Sequence, residues 1–134
     1  MSYMPKSKSD NWQTPIELYQ ALDDEFHFTD DPCPIDWKEG DEDGLLSNWG
    51  SSTFCNPPYS NVAKWIEKAH TEWNKGKTVV MLINAITDTK AFHTYIYGKA
   101  ELRFVKGRVS FINPLQPTKK QPSPKPSMIV IFKL

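Results

Sequence analysis

Residues 53–83 read TFCNPPYSNVAKWIEKAHTEWNKGKTVVMLI, and this stretch decides the fold class. Residues 53–55 form a short apolar strand that the prolines of the next four residues must end. Apolar residues then recur at helical spacing over 61–73, and 75–77 are typical of a helix end. The apolar run at 78–83 is typical of a strand buried on both faces. The order strand, helix, strand predicts an α/β fold with a largely parallel sheet and helices on both faces.

The remaining elements are predicted from helix ends and apolar periodicity. Thr14 is a good N-cap, Pro15 suits the first helical position, and that helix is expected to end near Glu25. Residues 26–29 alternate, which predicts a strand that ends at Asp30-Asp31-Pro32, where Pro32 closes it. We further predict a third helix over 88–97, strands over 101–105, 108–112 and 128–132, and a Pro/Lys-rich loop at 113–127, too irregular to pack.

Length and composition limit the classes of protein to consider. With 134 residues, 39% apolar and 24% charged, the chain suits one domain, expected at 12–134 after a disordered leader at 1–11. No apolar run approaches the roughly 20 residues of a transmembrane helix, and no signal peptide is recognisable. Two cysteines are too few for a disulfide scaffold. We expect a cytoplasmic protein with reduced thiols, no membrane partner and no metal site.

Charge is distributed unevenly although the net charge is zero. Residues 1–67 contain 4 Lys/Arg and 13 Asp/Glu, whereas residues 68–134 contain 12 and 3. Such asymmetry between halves can indicate a surface that binds a polyanion such as nucleic acid. The alternative is that the two halves neutralise each other within the fold.

The tetrapeptide Asn56-Pro57-Pro58-Tyr59 directly follows the strand at 53–55. Asn56 has a side-chain acceptor, and each proline has a carbonyl but no N–H, so a rigid turn here holds several acceptors and few donors. These acceptors suit a planar amine, and Tyr59 adds a face on which a ring can stack. For the two prolines alone, a plain turn is the alternative. The full tetrapeptide after an apolar strand predicts catalysis on an exocyclic amine.

The tetrapeptide resembles the catalytic motif of S-adenosylmethionine-dependent amino-methyltransferases. These enzymes act on adenine or cytosine in DNA and, in some relatives, on glutamine or guanine. Other segments are similar, in the right order, to those of one branch, the small phage DNA adenine methyltransferases of the Dam type. The similar segments are Trp12-Gln13-Thr14-Pro15, residues 26–31, the Leu45, Leu46 and Trp49 segment, residues 103–111, and Pro124-x-Pro126-Ser127 before the last strand.

The resemblance implies a minimal Rossmann-like class I methyltransferase fold with bound S-adenosylmethionine. It implies that Trp12, Thr14 and Pro15 lie at the methionine end of the cofactor, where a helix N-terminus also favours a carboxylate. Asp31, with Cys33 beside it, is expected near the amino group or ribose. A plain helix cap is the alternative for Thr14, and an exposed loop acid is the alternative for Asp31.

The resemblance also implies DNA as the partner. Arg108 and Phe111 are expected near the target base or a phosphate, with a solvated charge and a core aromatic as the alternatives. The 113–127 loop, with Lys119, Lys120 and Lys125, is the candidate for further DNA contact, and a flexible linker is its alternative. Because the chain contains no separate recognition domain, a homodimer is also expected.

The function implied is methyl transfer to the exocyclic amine of adenine after the base is flipped out of the duplex. Asn56 and the Pro57 carbonyl would bind the amine while Tyr59 stacks on the ring. One alternative is an amino-methyltransferase that acts on cytosine or a protein glutamine. The other is a non-catalytic nucleic-acid-binding module, which the absence of Gly-x-Gly after Asp31 and the short 34–44 segment favour.

Overall fold

The computed structural model describes residues 13–34, 39–113 and 116–134, without the side chains of Pro117 and Lys119. The predicted leader at 1–11 and Trp12 lie outside this range. The helices are α1 (Ile16–Phe26), a 3-10 turn (Tyr59–Asn61), α2 (Val62–Asn74) and a π-helix (Phe92–Ile96). The strands are β1 (Ser52–Cys55), β2 (Thr78–Asn84), β3 (Glu101–Phe104), β4 (Ser110–Asn113), β5 (Gln116–Pro122) and β6 (Ser127–Phe132).

Four strands form a mixed sheet in the order β1-β2-β6-β3. Only β1 and β2 pair in parallel among these four, whereas β6 is antiparallel to both β2 and β3. The α/β class is therefore confirmed, but the prediction of a largely parallel sheet is wrong for the described strands. The physical reason is that the last strand returns between β2 and β3, so β1, β2 and β3 share one direction while most neighbours are antiparallel.

Each face of the sheet is covered by helix, as predicted. In β2 the side chains alternate between the faces, because successive residues of a strand point to opposite sides. Val80 and Leu82 pack with Leu22 of α1 and with Phe111 of β4. The other face carries the residues of α2 and the π-helix. The buried residues there include Trp65, Ile66, Ala69, Val79, Met81, Ile83, Phe92 and Ile96.

Two sequence predictions fail in the loops. Residues 26–29 are not a regular strand, because His27 adopts a left-handed conformation (φ 52°) at the end of α1 and Asp23 binds the amides of both His27 and Phe28. Only Asp30 makes a parallel bridge, to Thr53. The described residues of 113–127 are not an unpacked loop, since β5 pairs antiparallel with β4. Prolines are tolerated in β5 because an outer strand has amides that need no ladder partner.

The third predicted helix is present in altered form. In place of an α-helix over 88–97, the structure has a short helical segment whose main part is the π-helix, with Tyr97 N–H donating to the Phe92 carbonyl at 2.8 Å. The hydroxyl of Thr89 accepts from the Phe92 amide at 3.1 Å and so caps the turn. Gly98 follows with φ 78°, as expected of a residue that ends a helix. The wider turn directs Phe92 and Ile96 under the sheet, where both are buried.

A buried carboxylate in α2 organises the contacts that bind residues 47–49, just before β1, to the rest of the fold. Glu72 of α2 has a fully buried side chain that contacts three ammonium groups, those of Lys68 (2.9 Å), Lys75 (2.9 Å) and Lys77 (2.8 Å). It also accepts from the amide of Trp49 at 3.1 Å. These bonds hold the pKa of Glu72 well below its usual range against the opposing effect of burial. The three lysines also donate to residues 47–49, so Glu72 organises the whole contact.

Candidate active site

The polar groups of the candidate site follow strands that run in one direction. The Asn-Pro-Pro-Tyr motif comes directly after β1, Asn84 ends β2, and Asp30 is bridged in parallel to Thr53 of β1. Carboxyl ends of parallel strands meet at one edge of a sheet, and ligands bind in the crevice outside that edge. Asp30, Asn56 and Asn84 therefore lie at the same edge of the sheet.

Thr14 contacts the motif through its side chain. The Asn56 amide nitrogen donates to the Thr14 hydroxyl at 3.1 Å, across 42 residues of sequence. The cap position of α1 is occupied by Pro15, and no side chain caps the helix. The prediction that Thr14 is the N-cap is therefore wrong, because its hydroxyl binds the Asn56 amide. Within the described part of the chain, this end of α1 therefore has no side-chain cap.

The aromatic residue of the motif is half-buried. Tyr59 begins the 3-10 turn that leads into α2, and burial raises the pKa of its phenol, while a hydrogen bond with Ser123 opposes that rise. Ser123 lies where β5 ends, and its amide donates to the Val109 carbonyl at 2.8 Å. The base of the hairpin therefore lies directly beside the motif.

A cavity of about 100 Å³ opens beside Tyr59. Its polar lining is provided by Asn84 and Thr89, and Pro57 closes one side. The remaining wall is apolar and comes from α2, β2, β6 and the segment around the π-helix. Those apolar residues are Val62, Ile66, Ile83, Ile86, Phe92, Ile96 and Met128. An apolar cleft with a few polar groups next to an aromatic ring is suited to a flat heteroaromatic ligand.

The acidic pair at 30–31 has two separate roles. Asp30 accepts from the amide of Gly50 at 3.0 Å, and its own carbonyl accepts from Phe54, so it fastens the loop before β1. Asp31 is exposed and accepts from the Cys33 amide at 3.1 Å in a tight turn. An exposed carboxylate at this edge is accessible to a ligand.

Both cysteines are free thiols in the structure. Burial and the nearby Asp31 carboxylate raise the pKa of Cys33 to about 12. The pKa of the fully buried Cys55 is also raised, chiefly by burial. Neither thiol is a nucleophile at neutral pH, since the thiolate is the reactive form. Cys33 packs against the apolar core, so any contact with a cofactor is made by a neutral side chain.

The residues predicted to contact DNA are not equivalent in the structure. Lys120 and Lys125 are exposed, and Arg108 is exposed with its guanidinium donating to the Pro124 carbonyl at 2.8 Å. Phe111 is only 4% exposed and belongs to the core against α1. It therefore has no open face for a base, and its position matches the core alternative. The side chain of Lys119 lies outside the described residues.

Several cations of the basic half are neutralised within the fold. The three lysines around Glu72 are engaged there, and Arg103 binds both carboxylate oxygens of Glu25 at 2.7 Å and one oxygen of Glu101 at 2.8 Å. Lys133 also pairs with Glu101 at 3.7 Å, so among the described residues the neutralisation alternative holds for five cations. The hairpin region is different, because residues 102–134 include no Asp or Glu. Lys106, Arg108, Lys120 and Lys125 are exposed in this part of the chain, which contains no acidic residue.

The sequence reading missed four contributors to the site. Gln13 pairs with Ile112 of β4 through backbone bonds of 3.1 and 3.0 Å and so brings Thr14 to the motif. Asn84 and Thr89 line the cavity, and Ser123 contacts Tyr59. The polar residue that ends the apolar run at 78–83 is a signal that could have identified Asn84. The other three depend on contacts between distant segments, for which the sequence has no local signal.

Comparison with known proteins gives this geometry a family. A family model described as DNA N-6-adenine-methyltransferase (Dam) matches residues 1–134. The chain is also 29% identical over 139 residues to the DNA N-6-adenine-methyltransferase of Haemophilus phage HP1, an alignment that covers 95% of this chain and 80% of the phage protein. None of the helices in the described part of the chain has the length and apolar character needed to cross a bilayer. The match over the full length shows that this chain belongs to the Dam family of DNA N-6-adenine-methyltransferases.

Proposed function

We propose that this protein transfers the methyl group of S-adenosylmethionine to the exocyclic amine of adenine in DNA, with Asn56 as the residue that binds the amine. The observation on which this rests is the Asn-Pro-Pro-Tyr motif at the carboxyl end of β1, beside a cavity lined by Tyr59. The family and its phage relative supply the substrate class.

The amine is bound by acceptors of the motif. The Asn56 side chain has a carbonyl oxygen, and Pro57 has a carbonyl without a competing N–H. Two acceptors on the two amine hydrogens draw the nitrogen lone pair out of conjugation with the ring, which makes the nitrogen nucleophilic. This binding is worth most in the transition state, when the amine hydrogens become more acidic, and so it accelerates the reaction itself.

The groups around the motif fit a sulfonium amino acid cofactor. The N-terminus of α1 has no side-chain cap, and free amides at a helix N-terminus favour a carboxylate. The exposed Asp31 carboxylate is suited to an ammonium group or ribose hydroxyls. We assign Pro15, Asp31 and the backbone of Thr14 to cofactor binding, with Trp12 and Cys33 as further candidates, whereas the Thr14 hydroxyl is engaged by Asn56. The bound cofactor supplies an electrophilic methyl group that requires no metal ion.

The target base enters the cavity beside Tyr59. A stacked base cannot reach a site at the edge of a sheet, so it must leave the duplex, and flipped bases are held by stacking and by bonds to the base edge. The ring of Tyr59 supplies the stack, whereas Asn84 and Thr89 supply polar groups at the cavity wall. We also propose that the fold is a shortened Rossmann-like methyltransferase fold, in which β1, β2 and β3 are the strands that share one direction.

Substitution of Tyr59 tests the stack. We expect Tyr59→Ala to weaken binding of the base by about 1–3 kcal/mol, the usual worth of an aromatic stack, measured as the KM for DNA. Tyr59→Phe keeps the ring and loses only the bond with Ser123, so its effect should be mild. A Phe variant as damaged as the Ala variant would show that the hydroxyl matters and not the ring.

DNA is held by the basic surface around the hairpin of β4 and β5. Replacement of Lys119, Lys120 and Lys125 together by Ala should flatten the log–log dependence of DNA affinity on salt by about 2–3 units, because each phosphate contact adds about −0.9 to the slope. The sequence that is methylated should stay the same, since phosphate contacts position the protein and base contacts specify.

A matched triple variant controls for charge. Lys64, Lys90 and Lys99 are exposed lysines outside the hairpin, and their replacement by Ala removes the same charge. The salt slope of this control should remain near that of the wild type. If the hairpin variant keeps the wild-type slope, the DNA surface has to be sought at Lys106 and Arg108, since Arg103 is bound by two carboxylates.

The deciding experiment combines binding with product analysis. We expect calorimetric titration to show one S-adenosylmethionine site, and DNA treated with enzyme and cofactor to contain N6-methyladenine. Cofactor binding without any methylated base would favour the non-catalytic module, and a methylated cytosine or glutamine would favour the other amino-methyltransferases. A homodimer stays a prediction that sedimentation of the same sample can check.

A further inference from the structure

We propose that Thr14 is a positioning residue that sets the orientation of the Asn56 side chain, so that the amide presents its oxygen to the substrate amine. The inference rests on the proposed function, because it concerns how the same site binds its substrate. It differs from the cofactor contact expected for Thr14, since it assigns the hydroxyl to the motif and makes a separate prediction for turnover.

An amide side chain has two different ends, and only one suits an amine. The oxygen accepts hydrogen bonds, whereas the nitrogen donates them. An Asn56 side chain turned by 180° would direct N–H groups at the substrate N–H groups, and binding would fail. Some neighbour must therefore distinguish the two ends of Asn56.

In the structure the Thr14 hydroxyl is the acceptor for the nitrogen end of that amide. It accepts from the Asn56 amide nitrogen at 3.1 Å, and Thr14 is only 9% exposed, so water competes little for the bond. The hydroxyl has no part in capping α1, which would be its usual task at a helix start. With the nitrogen held on the Thr14 side, the oxygen of Asn56 lies on the opposite side of the amide.

The backbone around Thr14 is itself fixed at two points. Gln13 exchanges two backbone hydrogen bonds with Ile112 of β4, at 3.1 and 3.0 Å. Pro15 has a restricted φ and its carbonyl accepts from Tyr19 at 3.0 Å in the first turn of α1. A strand of the hairpin and a helix therefore hold the hydroxyl in place, which is what a positioning group requires.

Three substitutions at Thr14 test the proposal in the full-length protein. Thr14→Val has nearly the same shape and removes the hydroxyl, Thr14→Ser keeps the hydroxyl, and Thr14→Ala removes it without a branched side chain in case the Val variant does not fold. We expect Val or Ala to lower kcat at saturating cofactor by about tenfold or more, the scale of misplaced catalytic groups. S-adenosylmethionine Kd by calorimetry should change less than about threefold, and Ser should restore kcat to within about threefold.

A matched control uses the same chemical change elsewhere. Thr71→Val removes an exposed hydroxyl that donates within α2 to the Glu67 carbonyl at 3.0 Å, and it should leave both kcat and Kd near wild type. A Val variant at position 14 with normal kcat would overturn the inference, whether or not its cofactor Kd is raised. Such a result beside an active wild type leaves the proposed function intact, whereas a wild type that methylates no DNA would overturn both.

Discussion

The Asn56→Ala variant is expected to lose methyl transfer almost completely while it still binds S-adenosylmethionine. Alanine removes the acceptor for the substrate amine, and an interaction made mainly in the transition state lowers kcat when it is lost. Cofactor Kd should stay within about tenfold of wild type, because Asn56 is not part of the proposed cofactor site and its loss mainly raises the barrier to methyl transfer. The measurements are methyl incorporation into DNA at saturating cofactor and calorimetric titration of the same preparation.

A second asparagine provides the control for this variant. Asn74 is exposed at the end of α2, where its amide contacts only His70 among the described hydrogen bonds, at 3.4 Å. Asn74→Ala should retain wild-type turnover. If Asn56→Ala keeps more than a tenth of the wild-type rate, Asn56 is not the residue that activates the amine, and the carbonyls of the prolines would have to do so alone.

Local patterns explain which parts of the fold the sequence predicted. The strands at β1, β2 and β6, helix α2 and the end of the third helix at Gly98 all follow from apolar runs and turn residues that act over a few neighbours. The strand at 26–29 was wrong because its alternation reflects aromatic packing against Tyr19 and Phe54 and not a ladder. The hairpin was not predicted because the sequence of β5 is rich in proline and lysine, which are not typical of strands, and β5 is stabilised by its pairing with β4.

The candidate site shows the same division. The Asn-Pro-Pro-Tyr motif is contiguous, so the sequence alone predicts its chemistry and its place after a strand. The bond between Thr14 and Asn56 joins segments 42 residues apart, and the path through Gln13 and Ile112 adds a third segment. No local pattern specifies such contacts, because they depend on how the hairpin docks beside α1. The helix cap predicted for Thr14 was wrong for this reason: its hydroxyl binds the distant Asn56, and Pro15 occupies the cap position.

Replacement of Glu72 tests how much the buried contact between its carboxylate and three lysines stabilises the fold. Glu72→Gln keeps the shape but leaves three ammonium groups around an uncharged amide, and breaking one partner of a buried ionic contact costs about 3–5 kcal/mol. We expect about 3 kcal/mol at pH 7, the low end, because Lys75 is 46% exposed and water screens part of the cluster. Urea denaturation measures the loss, and Glu67→Gln, an exposed change on the same helix, should cost under about 0.5 kcal/mol.

The pH dependence of that loss identifies its cause. The pKa of Glu72 is lowered in the folded protein, whereas an unfolded glutamate titrates near about 4.3. The ionised carboxylate therefore contributes its full stability above the unfolded pKa, and the contribution disappears as the pH falls toward the folded pKa. The stability difference between wild type and Glu72→Gln should be constant from pH 7 to about pH 5 and should shrink below about pH 4. A difference that is equally large at pH 3 would mean that the variant fails through packing, and that the three lysines do not depend on the charge of Glu72.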